Sequence, residues 1–393
     1  MDKKIVPTNK ENRLMELDVI RGIALFGILV VNINYFSTPA LYADMFNMNA
    51  KISFMEQWMK WMVIFFFEFK FVSLFSLLFG ISFALFLSRL EKRGIRSRTL
   101  FKRRLVFLLI IGLIHLFFFW YGDILTIYAL LGFLLLLFVE TKPKTQLKWI
   151  ISLPILPILM LTSIIMFGDN ISSTFTHQME NIYHNAMHSY ADGTAIEIFQ
   201  QRFVDIKYIY QGYILMIPVI FSMFLLGMYT WKKGYITHAS NYKEELKKVQ
   251  RYSAWIGIPF AFLAVFSDTK IESVASPFYF IQYISHVGSG PILAIFYMSS
   301  LILLLQKEEW RKRFFFLQPV GRMALTNYVM QTIICIFIFY SFGGGLFGRI
   351  NVIEGFGIAL LIFLLQILGS QIWLNHYGMG PLETIWRMYT YKK

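Results

Sequence analysis

Several residues in this sequence are of types that do chemistry, and their spacing places them. His115 follows Arg104 by eleven positions. On a helix, Arg104, Leu108, Ile111 and His115 share one face. The imidazole then lies about 16 Å from the guanidinium, at 1.5 Å per residue. Imidazole titrates near neutral pH and is suited to proton transfer. A guanidinium fork matches the oxygens of a phosphate. Asp18 and Arg21, three apart, are placed to pair, and Asn32 lies roughly 20 Å beyond Asp18 on the same helix.

Further polar residues recur at helical spacing. Gln282, His286 and Ser289 form one stripe, Asn327, Gln331 and Cys335 a second, and Gln366 and Ser370 a third. Polar side chains in hydrocarbon face the bundle interior or a wet cavity, so these stripes are candidates to line one shared space. Each also reads as hydrogen-bonding glue between helices, and the same two readings stand for Asn32 and His115. Asp123 is too far along a continuous helix to orient His115. It reads as a turn residue or an external-surface group unless the helix breaks. His177, His184 and His188 lack acidic or cysteine partners at ligand spacing. They read as a solvated loop, and no metal site is expected.

The elements that must position these residues follow from composition. Of 393 residues, 57% are hydrophobic and only 15% charged, against about 25% charged in soluble domains. The excess cannot be hidden in a water-soluble core, so an all-α, polytopic transmembrane bundle is predicted. Apolar runs near 19–36, 65–88, 105–120, 124–139, 149–167, 208–231, 254–267, 277–305, 324–342 and 356–374 give about ten spans in a single domain, 1–393. An amphipathic stretch at 52–64 suits the interface, and 168–207 is expected as an external loop. No Asp or Glu falls in the middle of any of these spans. Cys335, the one cysteine, reads as a packed small hydrophobe. No phosphate-binding glycine loop or HExxH pattern occurs.

The net charge of +14 would suggest nucleic acid in a soluble chain. Here the charges sit between apolar runs, so they mark topology and no nucleic-acid partner is expected. Segments 1–21, 89–104, 140–148, 232–252, 306–322 and 375–393 hold thirty of the 37 basic residues. By the positive-inside rule that side is cytoplasmic, and both termini lie there. Arg89, Lys92, Arg93, Arg96, Arg98, Lys102, Arg103 and Arg104 crowd one loop, where they contact anionic lipids or hold a phosphorylated cosubstrate. The predicted location is a bacterial plasma membrane, with membrane lipids as partners and room for a homo-oligomer.

Several blocks carry a resemblance. LDVIRGIALFGILVVNI (17–33), FVSLFSLLFG (71–80), RRLVFLLIIGLIHLFFFWYGDILTIYALLG (103–132), GRMALTNYVMQTIIC (321–335), GLFG (345–348) and GPLETIWRMYTY (380–391) resemble the YeiB-like family of bacterial membrane proteins. The first block also resembles the heparan-alpha-glucosaminide N-acetyltransferase group of transmembrane acyltransferases. That group carries Asp-x-x-Arg-Gly and, ten residues after the glycine, an asparagine; here these are Asp18, Arg21, Gly22 and Asn32. The resemblance implies transfer of an acyl group from cytosolic acetyl-CoA or another acyl-CoA to a small-molecule or cell-envelope acceptor. In that group a catalytic histidine follows the asparagine in the next loop. Residues 33–52 hold none here, so the resemblance implies either that His115 takes the role of general base beside Asn32 or that this chemistry is absent. Arg21, Arg103, Arg104 and Arg322 would hold the coenzyme A phosphates, with Asp18, Asn327, Gln331, Gln282 and His286 lining the cavity. Two other functions are weighed beside this one: a small-molecule or lipid transporter through the same bundle, and a non-catalytic lipid-binding protein. No internal repeat of the kind common in transporters is visible.

Overall fold

The computed structural model describes residues 14–46, 53–92, 94, 97–167, 173–271 and 276–391. All regular structure among them is helical. The first helices are α1 (Met15–Ser37), α2 (Ala40–Phe46), α3 (Phe54–Phe66), α4 (Lys70–Glu91) and α5 (Ser97–Ile114). Next come α6 (Leu125–Leu135), α7 (Pro143–Ser152), α8 (Ile155–Phe167), α9 (Ser173–Ala191) and α10 (Ala195–Lys232). The chain continues through α11 (Lys243–Asp268), α12 (Pro277–Leu305), α13 (Glu308–Arg313) and α14 (Gln318–Arg322). It ends in α15 (Ala324–Phe339), α16 (Val352–Tyr377) and α17 (Pro381–Tyr391).

The ten apolar runs read from the sequence lie mostly in helix, although 65–88 straddles α3 and α4 and 149–167 straddles α7 and α8. Seven helical stretches among the described residues are long and apolar enough to cross a membrane. The count is eight if Phe315–Arg322 and Ala324–Phe339, bent by 82° at their junction, form one span. The protein is therefore a polytopic helical membrane protein, because only helices satisfy every backbone group within hydrocarbon. Outward-facing positions agree. Leu361, Leu365, Leu368 and Ile372 recur at helical spacing on α16 and are exposed, a face suited to lipid.

The segment 168–207, expected as an external loop, is helical over most of its described length. Thr194 and Glu197 form a reciprocal capping box of the kind that starts helices. From there α10 runs unbroken to Lys232. The expected span at 208–231 is thus only the second half of α10. Asp205 lies in the first half of α10, ahead of the expected span, and is buried. The start of the expected loop, 168–172, lies outside the described residues, as do Arg93 and Arg96.

Small residues set how closely the long helices approach. A methyl on Gly80 of α4 would collide with the Phe224 carbonyl of α10, and one on Gly227 would come within 3.0 Å of the Gly80 Cα. The two backbones touch there, the usual means of tight helix packing in a bilayer.

Candidate active site: a buried histidine beside a basic cavity

His115 is positioned by a break in its helix. At the end of α5 the chain makes one π turn, His115–Phe119, in which the Trp120 amide donates to the His115 carbonyl at 2.9 Å. Such turns insert an extra residue and recur at functional sites. The backbone then runs extended at Trp120 and doubles back into α6. Gly112 makes the return tight: a methyl there would lie 2.5 Å from the Thr126 amide nitrogen.

The reversal brings Asp123 against His115. Asp123 accepts from the Leu125 amide at 3.2 Å and the Thr126 amide at 2.7 Å, so it caps α6. Its Oδ1 lies 3.0 Å from His115 Nδ1, off the line of a hydrogen bond. The other ring nitrogen, Nε2, lies 2.8 Å from Thr332 Oγ1 on α15. All three residues are fully enclosed. In the tautomer that carries its proton on Nδ1, beside the carboxylate, Nε2 is free to accept from the threonine hydroxyl. The reading of Asp123 as a surface or simple turn residue is therefore corrected. It is a buried cap, and the π turn supplies the helix break that a continuous helix denied it.

A cavity of about 880 Å³ approaches this group from the basic end of the bundle. Arg21, Arg89, Arg104, Arg322 and Arg387 line it. Both Arg89 and Phe75 of α4 line it too, so it runs about 21 Å along that helix. Its inner portion is apolar and aromatic, with Ile28, Phe75, Ile124, Leu125, Tyr128 and Tyr328. The Tyr328 ring, with its centroid 5.3 Å from that of His115, separates the cavity from the imidazole.

The arginines are held in distinct ways. Arg21 donates to Asp18 Oδ1 at 2.6 Å, the pairing expected from their spacing, and to Ser82 Oγ at 2.7 Å. Arg104 stacks between Phe86 and Trp386, with its guanidinium carbon 4.8 and 4.1 Å from the two ring centroids. The Trp386 indole donates to the Arg104 carbonyl at 2.9 Å, and Arg322 donates to the Gly378 carbonyl at 2.8 Å. Glu383 of α17 accepts from the Leu325 and Thr326 amides and, at 2.6 Å, from the Thr326 hydroxyl. Burial pushes its carboxyl above the usual carboxylate range.

The remaining polar stripes do not join this cavity. Gln331 donates to Gln366 at 2.9 Å, Gln366 to the Asn327 carbonyl at 2.8 Å, and Asn327 to Ser370 at 2.9 Å and the Val320 carbonyl at 3.1 Å. Asn327 and Gln331 thus tie α15 to α16 and are not among the lining residues. Gln282 lies 3.4 Å from Asp268, and His286 stacks on Phe69 and sits 3.8 Å from Glu68. These two belong to a separate cluster around α3, α4 and α12, where buried Lys70 donates to the Ile64 carbonyl. Phe69 there holds a left-handed backbone, φ +61°, a conformation costly for a residue with a Cβ. Arg103 is exposed and outside the lining, and Asn32 is half-buried on α1 and also outside it. The expected convergence of stripes on one cavity is corrected: Asp18, Arg21, Arg104 and Arg322 line it, and the other stripes are interhelical ties. Cys335 is fully buried, as expected of a small hydrophobe.

Two functional candidates were missed in the sequence. Thr332 follows Gln331 directly, and a threonine on an apolar helix carries little signal of its own. Asp205 accepts from Tyr42 at 2.7 Å, from Gln201 at 2.8 Å and from Tyr190; its partners come from α2, α9 and α10, which local spacing does not relate. Among the described residues, no group of three His, Cys, Asp or Glu is placed to hold a metal ion.

The fold and site thus define a polytopic helical membrane protein with a basic-mouthed cavity leading to a buried His–Asp–Thr group. A family described as "Protein of unknown function (DUF418)" matches residues 230–393. The uncharacterized protein YxaH of Bacillus subtilis (strain 168) is 36% identical, over 98% of this chain and 96% of its own. YeiB of Escherichia coli (strain K12), also uncharacterized, is 28% identical over 96% of both chains. An uncharacterized 39.9 kDa protein in the amylase 3' region of Bacillus acidopullulyticus is 30% identical, over 98% of this chain. The chain belongs to the YeiB-like DUF418 family. No solved structure matches it.

Proposed function

We propose that this protein is a plasma-membrane acyltransferase that takes an acyl group from cytosolic acyl-CoA and delivers it to a small-molecule or cell-envelope acceptor. The observation that carries this reading is the single cavity with two ends. Five arginines line its outer part, and an apolar inner part stops at Tyr328 against His115. Arginine forks suit the phosphates of coenzyme A. A cavity about 21 Å long with an apolar inner part suits a pantetheine arm whose thioester must be kept from water. In this reading Arg104 and Arg322 hold phosphate, and Asp18 keeps Arg21 aimed into the mouth. His115 takes the proton of the acceptor hydroxyl or amine, and Asp123 fixes the ring and stabilises the imidazolium. Asn32 orients the acceptor as it approaches from the far side of α1.

The reading includes ten spans with both termini cytoplasmic. Lysine and arginine are concentrated on the side where the cavity opens, where a cytosolic cosubstrate is met. Its test is direct: purified full-length protein in lipid nanodiscs is titrated with acetyl-CoA, and binding is followed by calorimetry. Saturable binding that is lost when arginines of the mouth are removed supports the reading. Absence of binding at millimolar acetyl-CoA overturns it.

A further inference from the structure

Thr332 is placed to do more than hold His115 in register. Its hydroxyl, the imidazole and the Asp123 carboxylate stand in the order nucleophile, base, orienting acid, with 2.8 Å between Oγ1 and Nε2 and 3.0 Å between Nδ1 and Oδ1. That order is the one by which a base activates a weak hydroxyl nucleophile. The Thr332 hydroxyl meets a group on another element, as those of Ser222 and Thr326 also do. Helical serines and threonines usually bond the carbonyl four residues back. Ser76, Ser82, Ser285, Ser299 and Thr390 all do so here. The Thr332 hydroxyl instead pairs with His115 Nε2 of the neighbouring element at 2.8 Å. Tyr328, one turn earlier on the same face of α15, closes the inner end of the cavity. Thr332 is therefore one helical turn beyond the point where the channel stops.

We propose that Thr332 carries the acyl group between two half-reactions, a role that rests on the acyl-transfer reading above. Thr332 Oγ1 attacks the thioester carbonyl carbon of acyl-CoA while His115 Nε2 takes the hydroxyl proton. The carbon–sulfur bond breaks, His115 returns the proton to the thiolate, and coenzyme A leaves as the free thiol. The acyl group remains as a threonyl ester. The acceptor hydroxyl or amine then attacks that ester from the opposite side, His115 takes its proton, and the proton returns to Thr332 Oγ1. Coenzyme A and acceptor never need to meet, so each half-reaction uses one face of the bundle.

The test uses full-length protein in nanodiscs with acetyl-CoA as probe and no acceptor added. The expected result is release of one coenzyme A per protein in a burst, with one acetyl group found at Thr332 by peptide mass spectrometry and removed by hydroxylamine. Thr332→Val should bind acetyl-CoA but lose both burst and label, and Thr332→Ser should regain them. The wild-type label and the serine variant decide the question if the valine variant fails to fold. Acetyl-CoA binding with no burst or label, a label on another residue, or undiminished acyl transfer by Thr332→Val each overturns the role of Thr332 while leaving the acyltransferase reading standing. Failure of the wild type to bind acetyl-CoA overturns both.

Discussion

Asp123 Oδ1 lies 3.0 Å from His115 Nδ1, although eight residues separate them and a straight helix would hold them about 12 Å apart. The approach depends on the π turn and on Asp123 capping α6 with the same carboxylate. One side chain thus caps a helix start and stands beside a histidine ring. His115→Ala should lower acyl transfer by about 10²–10⁴ and leave acetyl-CoA binding intact. Asp123→Asn should keep the cap, since the amide oxygen still accepts, and lose turnover through the ring it no longer steadies. Turnover and binding measured on the same preparations check this; equal turnover in wild type and His115→Ala counts against a general base here.

Arg104 and Arg103 are neighbours in sequence with different surroundings. Arg104 lines the cavity between two aromatic rings, and Arg103 is exposed outside it. Arg104→Ala should weaken acetyl-CoA binding by about 1.5–3 kcal/mol, the worth of a charge-assisted contact, or roughly ten- to a hundredfold. Arg104→Lys should not restore it, because an ammonium neither stacks nor forks. Arg103→Ala should change binding little. Calorimetric titration of the three variants decides, and equal losses at 103 and 104 would remove the cavity mouth from the binding site.

Glu383 gives a pH signature. Burial raises its carboxyl above the ordinary range in the folded state. Between the unfolded and the folded value, the folded protein binds more protons than the unfolded one, so stability falls as pH rises through that window. Glu383→Gln should flatten this slope, since the amide oxygen can still accept from the Leu325 and Thr326 amides. Thermal unfolding in detergent, followed from roughly pH 4 to pH 7, measures both. Identical slopes would show that the Glu383 carboxyl does not titrate as its burial requires.

Orientation can be read with one introduced thiol at a time, because the native Cys335 is fully buried. His177 on α9 and Lys312 on α13 are both exposed. In whole cells an impermeant maleimide should label His177→Cys, and label Lys312→Cys only after permeabilisation. The reverse pattern would invert the topology and separate the cavity mouth from cytosolic acyl-CoA.

What the sequence revealed was what repeats locally. Apolar runs marked the helices, and three-residue spacing paired Asp18 with Arg21. Arg21, Arg104 and Arg322 were legible because basic residues gather where helices end. Thr332 and Asp123 were not, since each gains its role by meeting His115 across a break or another helix. Asn327 and Gln331 misled for the same reason: helical spacing shows a shared face but not what it faces. That face meets Gln366 and Ser370 of α16.

The mouth of the cavity is built from α1 and α17 together, with Leu14, Met15 and Asp18 on one side and Glu383, Trp386 and Tyr391 on the other. These helices are made far apart in time, with more than three hundred residues between them. The channel therefore has no finished rim until residue 391 has been synthesised and α17 has docked on α5 and α15. A nascent chain halted in α16 would lack the α17 wall of the cavity.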